Sequence, residues 1–466
     1  MNKLGVSKRA WILFAFCAAT AIGTSAQTFT SLHSFDDADG ANPDAGMVQG
    51  TNGKFYGTTY VGGTNNDGSV FSIATGGAFL TAHSFNGADG ANPTAGLILG
   101  TNGNFYGTTL NGGANGGGTV VSITTSGMLT ILHNFCSQGG SSCTDGSKSD
   151  AGLVQGTNGK FYGTTSGGGA NGHGTVFSIT AGGTLTTLHS FDGTDGSSPE
   201  AGLVQATNGK FYGTTSGGGA NGDGTVFSIT AGGTLTALHS FDGTDGSSPV
   251  AGLVQATNGK FYGTTYGGGA NGDGTVFSIT AGGTLTTLHS FDGTDGSSPE
   301  AGLVQATNGK FYGTTYGGGA NRDGTVFSIT AGGTLTTLYS FCAQPDCTDG
   351  ADPEAGLVYG TNGKFYGTTA FGGTSDYGTV FGISVGLRPF VETNPTSGNV
   401  GMAVTILGTN LASASSVTFN GTAAAFTVVS GSEITTTVPA DATSGTVQVV
   451  TLNGTLSSNV PFRVLP

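Results

Sequence analysis

Residues 201–241 read AGLVQATNGKFYGTTSGGGANGDGTVFSITAGGTLTALHSF, and this stretch decides the fold. Short runs of Thr, Val, Phe and Tyr alternate with glycine-rich segments, which is typical of strands separated by turns. The Asn208-Gly209 pair predicts a hairpin with a type I′ turn, in which both central residues have positive φ. Strands this short cannot bury both faces alone, so they must stack on neighbouring units. The four predicted strands are 201–205, 210–215, 225–229 and 234–241.

The motif Phe-Tyr-Gly-Thr-Thr occurs seven times along the chain. Four-stranded units in sevenfold repetition predict an all-β, seven-bladed β-propeller over residues 27–386. The last copy lacks a fourth strand and residues 28–35 resemble one, so this segment should complete the seventh blade. A β-helix or calcium-binding solenoid would need the glycine-rich segment 217–224 in tandem, whereas it occurs once per repeat. The motif begins at Phe55, Phe105, Phe161, Phe211, Phe261, Phe311 and Phe365, with spacings of 50, 56, 50, 50, 50 and 54 residues.

The first 26 residues predict a secretory signal peptide. Lys3, Lys8 and Arg9 precede a short apolar run, 11–22, that closes on Thr-Ser-Ala. The mature chain is therefore expected to be secreted, extracellular or periplasmic, without a transmembrane segment. Cleavage removes three of the 13 basic residues and none of the 27 acidic ones, which leaves a net charge of −17. So acidic a protein is not expected to bind nucleic acid.

Four cysteines remain after cleavage, and each lies close in sequence to one other. In an exported protein this spacing predicts two local disulfides, Cys136–Cys143 and Cys342–Cys347. Both pairs fall in the two repeats that are longer than 50 residues, so each bond should fasten an enlarged loop. A zinc site is disfavoured because no histidine lies near either pair in sequence.

Two resemblances follow from these motifs. The units Gly-Leu-Val-Gln, Asn-Gly-Lys-Phe-Tyr-Gly-Thr-Thr, Gly-Thr-Val-Phe-Ser-Ile and Leu-His-Ser-Phe resemble the GloVer tandem repeat of exported bacterial proteins. That resemblance implies varied surface anchors and no known activity. Residues 387–466 resemble the IPT/TIG domain, which implies an immunoglobulin-like β-sandwich acting as a spacer or contact module. The matching residues there are Pro395, Gly398, Gly401, Val404-Thr405-Ile406, Gly408, Asn410-Leu411, Val417-Thr418-Phe419-Asn420-Gly421, Ile434, Val438-Pro439 and Phe462.

Chain direction predicts where polar side chains gather. In a four-stranded antiparallel blade, the loops between strands two and three share a rim with the loops that link blades. This rim should carry an acidic, amide-rich ring able to bind sugar hydroxyls. Its predicted binding residues are Asn221, Asp223, Asp242, Asp245, Asp273 and Asp323.

Calcium is the one metal that the loops suggest. Asp192 and Asp195 belong to a recurring Asp-Gly-Thr-Asp-Gly segment, and carboxylates with intervening carbonyls suit Ca²⁺. The same segment is also ordinary turn chemistry, so both interpretations stay open. No other cofactor is expected.

Six histidines and one tyrosine occupy a single position of the fourth strand. Sevenfold symmetry would place them on different blades, too far apart to share an ion. They are expected to pack or to hydrogen-bond between blades. These residues are His33, His83, His133, His189, His239, His289 and Tyr339.

The near-identity of repeats three to six argues against an enzyme, because a catalytic pocket needs different residues on different blades. Serine-hydrolase, phosphate-loop and zinc-protease motifs are also absent from the sequence. We therefore predict a non-catalytic exported binding or surface-interaction protein, with glycan the favoured ligand and protein the next. The alternatives are a polysaccharide lyase or glycosidase with a central pocket, and a structural envelope component.

Overall fold

The computed structural model describes residues 27–138 and 143–466, and this part of the chain is all-β, as predicted. Seven four-stranded antiparallel sheets form the blades of a propeller, and a β-sandwich follows the last blade. The predicted signal peptide, residues 1–26, lies outside the described residues. Among the described residues, no helix is long and apolar enough to cross a bilayer.

Each blade has a two-residue inner strand, two central strands and an outer strand, in that order. The strands, from inner to outer, are Val48–Gln49, Phe55–Thr59, Ser69–Ile73 and Phe79–Ser84 in blade 1; Ile98–Leu99, Phe105–Thr109, Thr119–Ile123 and Leu129–Asn134 in blade 2; Val154–Gln155, Phe161–Thr165, Thr175–Ile179 and Leu185–Ser190 in blade 3; Val204–Gln205, Phe211–Thr215, Thr225–Ile229 and Leu235–Ser240 in blade 4; Val254–Gln255, Phe261–Thr265, Thr275–Ile279 and Leu285–Ser290 in blade 5; Val304–Gln305, Phe311–Thr315, Thr325–Ile329 and Leu335–Ser340 in blade 6; and Val358–Tyr359, Phe365–Thr369, Thr379–Ser384 and Thr28–Ser34 in blade 7.

Burial of the two central strands holds neighbouring blades together. In blade 4, Gly213 leaves room for the ring of Phe227, which a Cβ at this glycine would approach to 2.8 Å. Tyr212 is fully buried and stacks on Phe261 of blade 5, with ring centroids 4.1 Å apart. The hydrophobic cluster around them draws side chains from both blades. Each blade therefore completes its core only against the next one.

The hairpin between inner and second strands differs from the predicted type I′ turn. Only Gly209 has a positive φ, 82°, and Asn208 does not. The Asn208 side chain instead accepts a hydrogen bond from the Lys210 N–H at 3.0 Å and donates one to the Tyr212 hydroxyl at 2.8 Å. These bonds favour a longer loop with one left-handed glycine, so the type I′ prediction was wrong.

Ring closure takes the predicted form. The strand Thr28–Ser34 pairs antiparallel with Thr379–Ser384 and supplies the outer strand of blade 7. Around the axis, one glycine from each blade abuts the equivalent glycine of the preceding blade, and the series closes with Gly46 against Gly356. A Cβ on Gly96 would lie 2.6 Å from the carbonyl oxygen of Gly46. The innermost backbone is thus too tight there for any larger residue.

The two rims of the propeller have different connections. In blade 4, the turns 206–210 and 230–234 lie on one rim, here called the turn rim. The loops 216–224 and 241–253 lie on the other, the acidic rim, as do their equivalents in other blades. Loops of adjacent blades join there, as in the reciprocal bridge between Ser247 and Gly267.

Residues after blade 7 form an immunoglobulin-like sandwich. Its core includes Ile406, Phe419, Ile434 and Phe462, all at most 1% exposed. Two short 3₁₀ turns occur, Leu411–Ser413 in the sandwich and Pro345–Cys347 in the propeller loop that links blades 6 and 7. The strands are Glu392–Asn394, Ala403–Leu407, Glu433–Thr437 and Phe426–Val428 in one sheet, Thr422–Ala424, Ser416–Phe419, Val447–Thr451 and Gly454–Ser457 in the other, and the parallel pair Ser397–Asn399 and Arg463–Leu465.

Candidate functional site

Charge is strongly segregated between the two rims. All 24 acidic residues between residues 27 and 386 lie in loops of the acidic rim, beside only two basic residues, Lys148 and Arg322. Six lysines occupy the hairpin turns of the turn rim, as Lys210 does in blade 4. The acidic rim therefore has a strong negative potential that would draw positively charged groups toward it.

The outer loops of this rim use their carboxylates to build turns. Asp242 Oδ1 accepts hydrogen bonds from the Thr244 N–H at 2.9 Å and the Thr244 hydroxyl at 2.6 Å. The equivalent bonds from Thr194 lower the pKa of Asp192 to about 2. Asp192 and Asp242 thus fold their own loops, which is the turn interpretation of the repeated segment.

The second aspartate of each loop pairs with the repeated histidine. His239 Nε2 lies 2.7 Å from Asp245 Oδ2, and Asp245 Oδ1 also accepts the Asp242 N–H at 3.1 Å. In the loop that links blades 6 and 7, the Tyr339 hydroxyl donates to Asp349 at 2.6 Å. The histidines therefore fasten the linking loop that follows their own strand. The other pairs are His33–Asp39, His83–Asp89, His133–Asp145, His189–Asp195 and His289–Asp295, at 2.7 to 3.0 Å.

The remaining predicted binding residues divide into two groups. The Asn221 side chain donates to the Phe241 carbonyl at 2.8 Å, so its amide ties two loops together. Within the described residues, no hydrogen bond reaches the carboxylates of Asp223, Asp273 or Asp323. Of the predicted binding residues, these three keep unoccupied acceptor groups.

The predicted calcium ligands, Asp192 and Asp195, lie outside the one cluster of metal-type side chains found among the described residues. In the described ranges, a single group of three metal-type side chains approaches within 4.8 Å, namely Asp323 with Cys342 and Cys347. Those cysteines are bonded to each other, so their sulfurs are not thiolate ligands. Asp192 and Asp195 are not part of this group. Calcium bound there by carboxylates with intervening carbonyls stays a prediction.

Both predicted disulfides are confirmed. Cys136–Cys143 and Cys342–Cys347 close loops of the acidic rim, and the Cα atoms of each pair are 4.1 Å apart. Each follows the outer strand of its blade, the place where the repeat is enlarged. The bonds therefore fasten local loops and do not cross the ring.

A second set of rim side chains surrounds the propeller axis, and the sequence alone did not show that its members pair. One member precedes the Ala-Gly that starts each inner strand, and the other follows Phe-Tyr-Gly-Thr-Thr. In two blades the two are hydrogen-bonded: Ser166 donates to Asp150 at 2.5 Å, and Ser216 to Glu200 at 3.1 Å. We call them the mouth pairs. In order of blades they are Asp44 with Tyr60, Thr94 with Leu110, Asp150 with Ser166, Glu200 with Ser216, Val250 with Tyr266, Glu300 with Tyr316, and Glu354 with Ala370.

The mouth carboxyls are crowded and poorly solvated. Burial, together with the charges of Glu354 and Glu300, raises the pKa of Asp44 to about 8. Burial and neighbouring carboxylates also raise the pKa of Glu300 to about 7. Asp44 Oδ1 is buried without a hydrogen-bond partner among the described residues. The carboxylates of the neighbouring blades 6, 7 and 1 therefore lie close enough to raise the pKa values of Asp44 and Glu300.

The mouth is also where nearly identical repeats diverge. Residues 191–240 and 241–290 differ at three of 50 positions. Two of the three are the mouth positions, where Glu200 and Ser216 of the first repeat are replaced by Val250 and Tyr266 in the second. This divergence was readable in the sequence. The pairing of the two positions was not readable, because they are 16 residues apart and only the fold brings them together.

The repeat can now be assigned to a family. The Gloeobacter/Verrucomicrobia repeat matches residues 18–220, 141–308 and 202–438, which together span most of the sequence. The chain belongs to this family. No curated protein matches it. The tandem matches of the Gloeobacter/Verrucomicrobia repeat cover all seven blades and reach into the sandwich.

Solved structures resemble the chain in fold alone. A fungal alcohol oxidase of the AA5 family, in complex with copper, is similar at 15% identity and a TM-score of 0.52, over 94% of this chain and 99% of that one. An auxiliary nutrient binding protein from Bacteroides ovatus is similar at 13% identity and a TM-score of 0.43, over 77% and 76%. A gluconolactonase from Xanthomonas campestris is similar at 13% identity and a TM-score of 0.40, over 68% and 89%. At these identities, such likenesses carry no functional argument for this Gloeobacter/Verrucomicrobia repeat protein.

Proposed function

We propose that this protein is a non-catalytic, exported binding protein whose ligand is a glycan held at the axial mouth. The observation that carries the proposal is the divergence of the mouth pairs on an otherwise repeated scaffold. Nearly identical blades carry different side chains at the mouth, so the mouth presents an asymmetric surface. An asymmetric surface can bind a ligand in one orientation, whereas seven equal loops would not distinguish between orientations.

The chemistry of the mouth suits a sugar. Carboxylates such as Glu200 and Glu354 accept hydrogen bonds from hydroxyl groups. Tyr266 is 42% exposed and Tyr316 is the equivalent, partly exposed residue of the next blade, so both offer an apolar ring with a polar hydroxyl. Export follows from the predicted signal peptide and agrees with the two disulfides. The sandwich, with its resemblance to IPT/TIG domains, would serve as a spacer or contact module.

One observation favours a second candidate, a polysaccharide-active enzyme. Glu300 has a pKa of about 7, so it could hold a proton near neutral pH as a general acid does. Its neighbour Glu354 also has a raised pKa, through burial and the charge of Asp352. Acid and base roles would need two such groups on opposite sides of one glycosidic bond.

A single experiment separates the two functions. The purified chain lacking residues 1–26 is screened against a panel of polysaccharides and oligosaccharides, and soluble products are assayed in the same samples. We expect binding without product release, and weaker binding for Glu300→Gln. Asp223→Asn removes the same charge from an outer loop and should bind as the parent does. Products that form with the parent and disappear in Glu300→Gln would establish the enzyme instead, and a panel without any binder would contradict the proposal.

A further inference from the structure

We propose that the turn rim of blades 3, 4 and 5 is a second binding surface, which takes a linear polysaccharide with repeated negative charges. The surface consists of the hairpin loops 157–160, 207–210 and 257–260, here called the lysine arc. Each loop has the sequence Thr-Asn-Gly-Lys. The lysine arc lies on the rim opposite the axial mouth, so this inference goes beyond the function proposed above and does not depend on it.

The sandwich contacts the other blades of the turn rim and leaves the lysine arc uncovered. In the part of the chain that the structure describes, no sandwich hydrogen bond reaches blades 3, 4 or 5. All residues of the lysine arc are exposed, whereas Lys54 and Lys310, in the corresponding loops of blades 1 and 6, are partly buried. The lysine arc is therefore the part of this rim that stays open to a partner. The sandwich bonds to blades 6, 7, 1 and 2 through Asn459, Thr409, Ser432 and Asn394, respectively.

The charge of the lysine arc is not neutralised within the propeller. The ion pairs among the described residues join aspartates to histidines, and none of them includes Lys160, Lys210 or Lys260. The propeller acids lie on the other rim, beyond five-residue strands such as Phe211–Thr215, which span about 16 Å. Exposed charges that far apart are largely screened at physiological ionic strength. The lysine arc can therefore attract anions although the whole chain is acidic.

Hydrogen bonds between blades hold the loops of the lysine arc in a fixed relation. The Thr157 N–H donates to the Gln205 side chain of blade 4 at 2.9 Å, and the Thr207 N–H donates to Gln255 of blade 5 at 2.9 Å. Because each loop is tied to the blade that follows, the three loops repeat at a regular spacing. One exposed ammonium group attracts an anion only weakly. A polymer with a negative charge on each unit can contact all three loops at once, so the weak contacts add up.

The side chains of the lysine arc favour a polysaccharide over other polyanions. Within the described residues, no exposed large hydrophobic side chain belongs to these hairpins, so none is available to insert into a bilayer. The loops also contain no aromatic ring on which a nucleic-acid base could stack, and no arginine that could pair with guanine. Their ammonium and hydroxyl groups suit the carboxylates and hydroxyls of an acidic polysaccharide.

The experiment compares polygalacturonate with the same polymer fully methyl-esterified, which keeps the backbone and loses the charge. Each is immobilised on a biosensor, and the full chain lacking residues 1–26 is titrated over it at neutral pH and physiological salt. We expect polygalacturonate to bind at least about tenfold more tightly than its ester. Changing Lys160, Lys210 and Lys260 together to Gln should lower the affinity for polygalacturonate at least about fivefold. Changing the same three residues to Arg keeps the charge and should keep the binding.

A matched control removes the same charge from loops of the same sequence beside the sandwich. Lys54, Lys310 and Lys364, changed together to Gln, should leave the affinity within about twofold of the parent, because long-range attraction is screened at this salt concentration. All six lysine side chains lack an ion pair among the described residues, so both triple variants should fold. Their melting temperatures check this.

Several results would overturn the inference. Equal affinity for polygalacturonate and its ester would show that charge is not recognised, and equal losses in the two glutamine triple variants would place recognition outside the lysine arc. Tighter binding to vesicles of anionic lipid or to duplex DNA than to polygalacturonate would assign the arc to another class of partner. The arc variant should still bind the oligosaccharide that the screen identifies for the mouth, so failure of one proposal leaves the other intact.

Discussion

The outer loops and the axial mouth carry the same kind of side chain in opposite circumstances. Asp192 in an outer loop accepts three hydrogen bonds within its own turn, and its pKa falls to about 2. Asp44 in the mouth has a buried oxygen without a partner among the described residues, and its pKa rises to about 8. Both lie on the acidic rim of one propeller. The difference shows that most rim acids are structural, whereas a few are held in an unfavourable state that a ligand could relieve.

This contrast has a physical cause. Outer-loop aspartates are followed by threonine and backbone N–H groups that turn back toward them, so the ionised form is stabilised locally. Mouth carboxyls lie at the start of short inner strands, where the blades converge on the axis and bring like charges together. The repeated scaffold thus places a mouth residue at the start of each inner strand and brings the mouth carboxylates close together.

The largest predicted effect is on the pH dependence of stability. Because the pKa of Asp44 is raised in the folded state, its proton favours folding below about pH 4, and that contribution is lost as the pH rises toward 8. Ionisation of Asp44 alone should lower the free energy of unfolding by on the order of 5 kcal/mol between these two pH values. Asp44→Asn should therefore be more stable than the parent at pH 9 and flatten the profile. Denaturant unfolding of both proteins from pH 4 to 9 measures this effect. If the free energy of unfolding depends on pH in the same way in both proteins, Asp44 is not the group responsible.

A smaller loss is expected where a loop acid is structural. Asp245→Ala deletes the partner of His239 and the acceptor of the Asp242 N–H, which should cost about 3 kcal/mol. Asp223→Ala, on the same rim but with no hydrogen bond from the described part of the chain to its carboxylate, should stay within about 0.5 kcal/mol of the parent. Equal losses of unfolding free energy in the two variants would show that hydrogen-bonded and free carboxylates of the rim do not differ in their contribution to stability.

The disulfides should contribute less than the loop pairs. Each closes only a few residues, so reduction should lower the free energy of unfolding by about 2 kcal/mol per bond. The ring should survive, because neither bond links two blades. Unfolding with and without a reductant measures the loss, and Cys136→Ser with Cys143→Ser controls for reagent effects. Collapse of the β-sheet circular dichroism signal on reduction alone would show that these loops support the whole ring.

Sequence patterns predicted the blade number, ring closure and disulfides because these depend on spacing along the chain. The hairpin type escaped prediction, since the Asn208 side chain bonds to Lys210 and Tyr212 and so favours a different loop. The site was predicted only in part. Chain direction located the rim, but Asp245 and Asn221 are occupied by His239 and by the Phe241 carbonyl. The mouth depends on contacts between blades, which periodicity along one repeat does not contain.

The smallest effect is expected from the outer acids. Asp223, Asp273 and Asp323, each changed to Asn, should leave glycan affinity within about twofold of the parent. Their carboxylates lie on separate blades and make no bond that positions a ligand. Calorimetric titration at two salt concentrations would distinguish a local contact from the loss of three charges, because a purely long-range effect vanishes at high salt.

The most direct test of the account exchanges mouth residues between repeats. Tyr266→Ser and Tyr316→Ser together give blades 5 and 6 the residue that blade 4 carries naturally, so the scaffold should tolerate them with an unchanged melting temperature. Titration with the best-binding oligosaccharide of the screen should show affinity falling at least about tenfold, by loss of stacking on both rings. Unchanged affinity in this double variant, together with loss of binding in the triple outer-loop variant, would contradict the claim that the axial mouth binds the ligand.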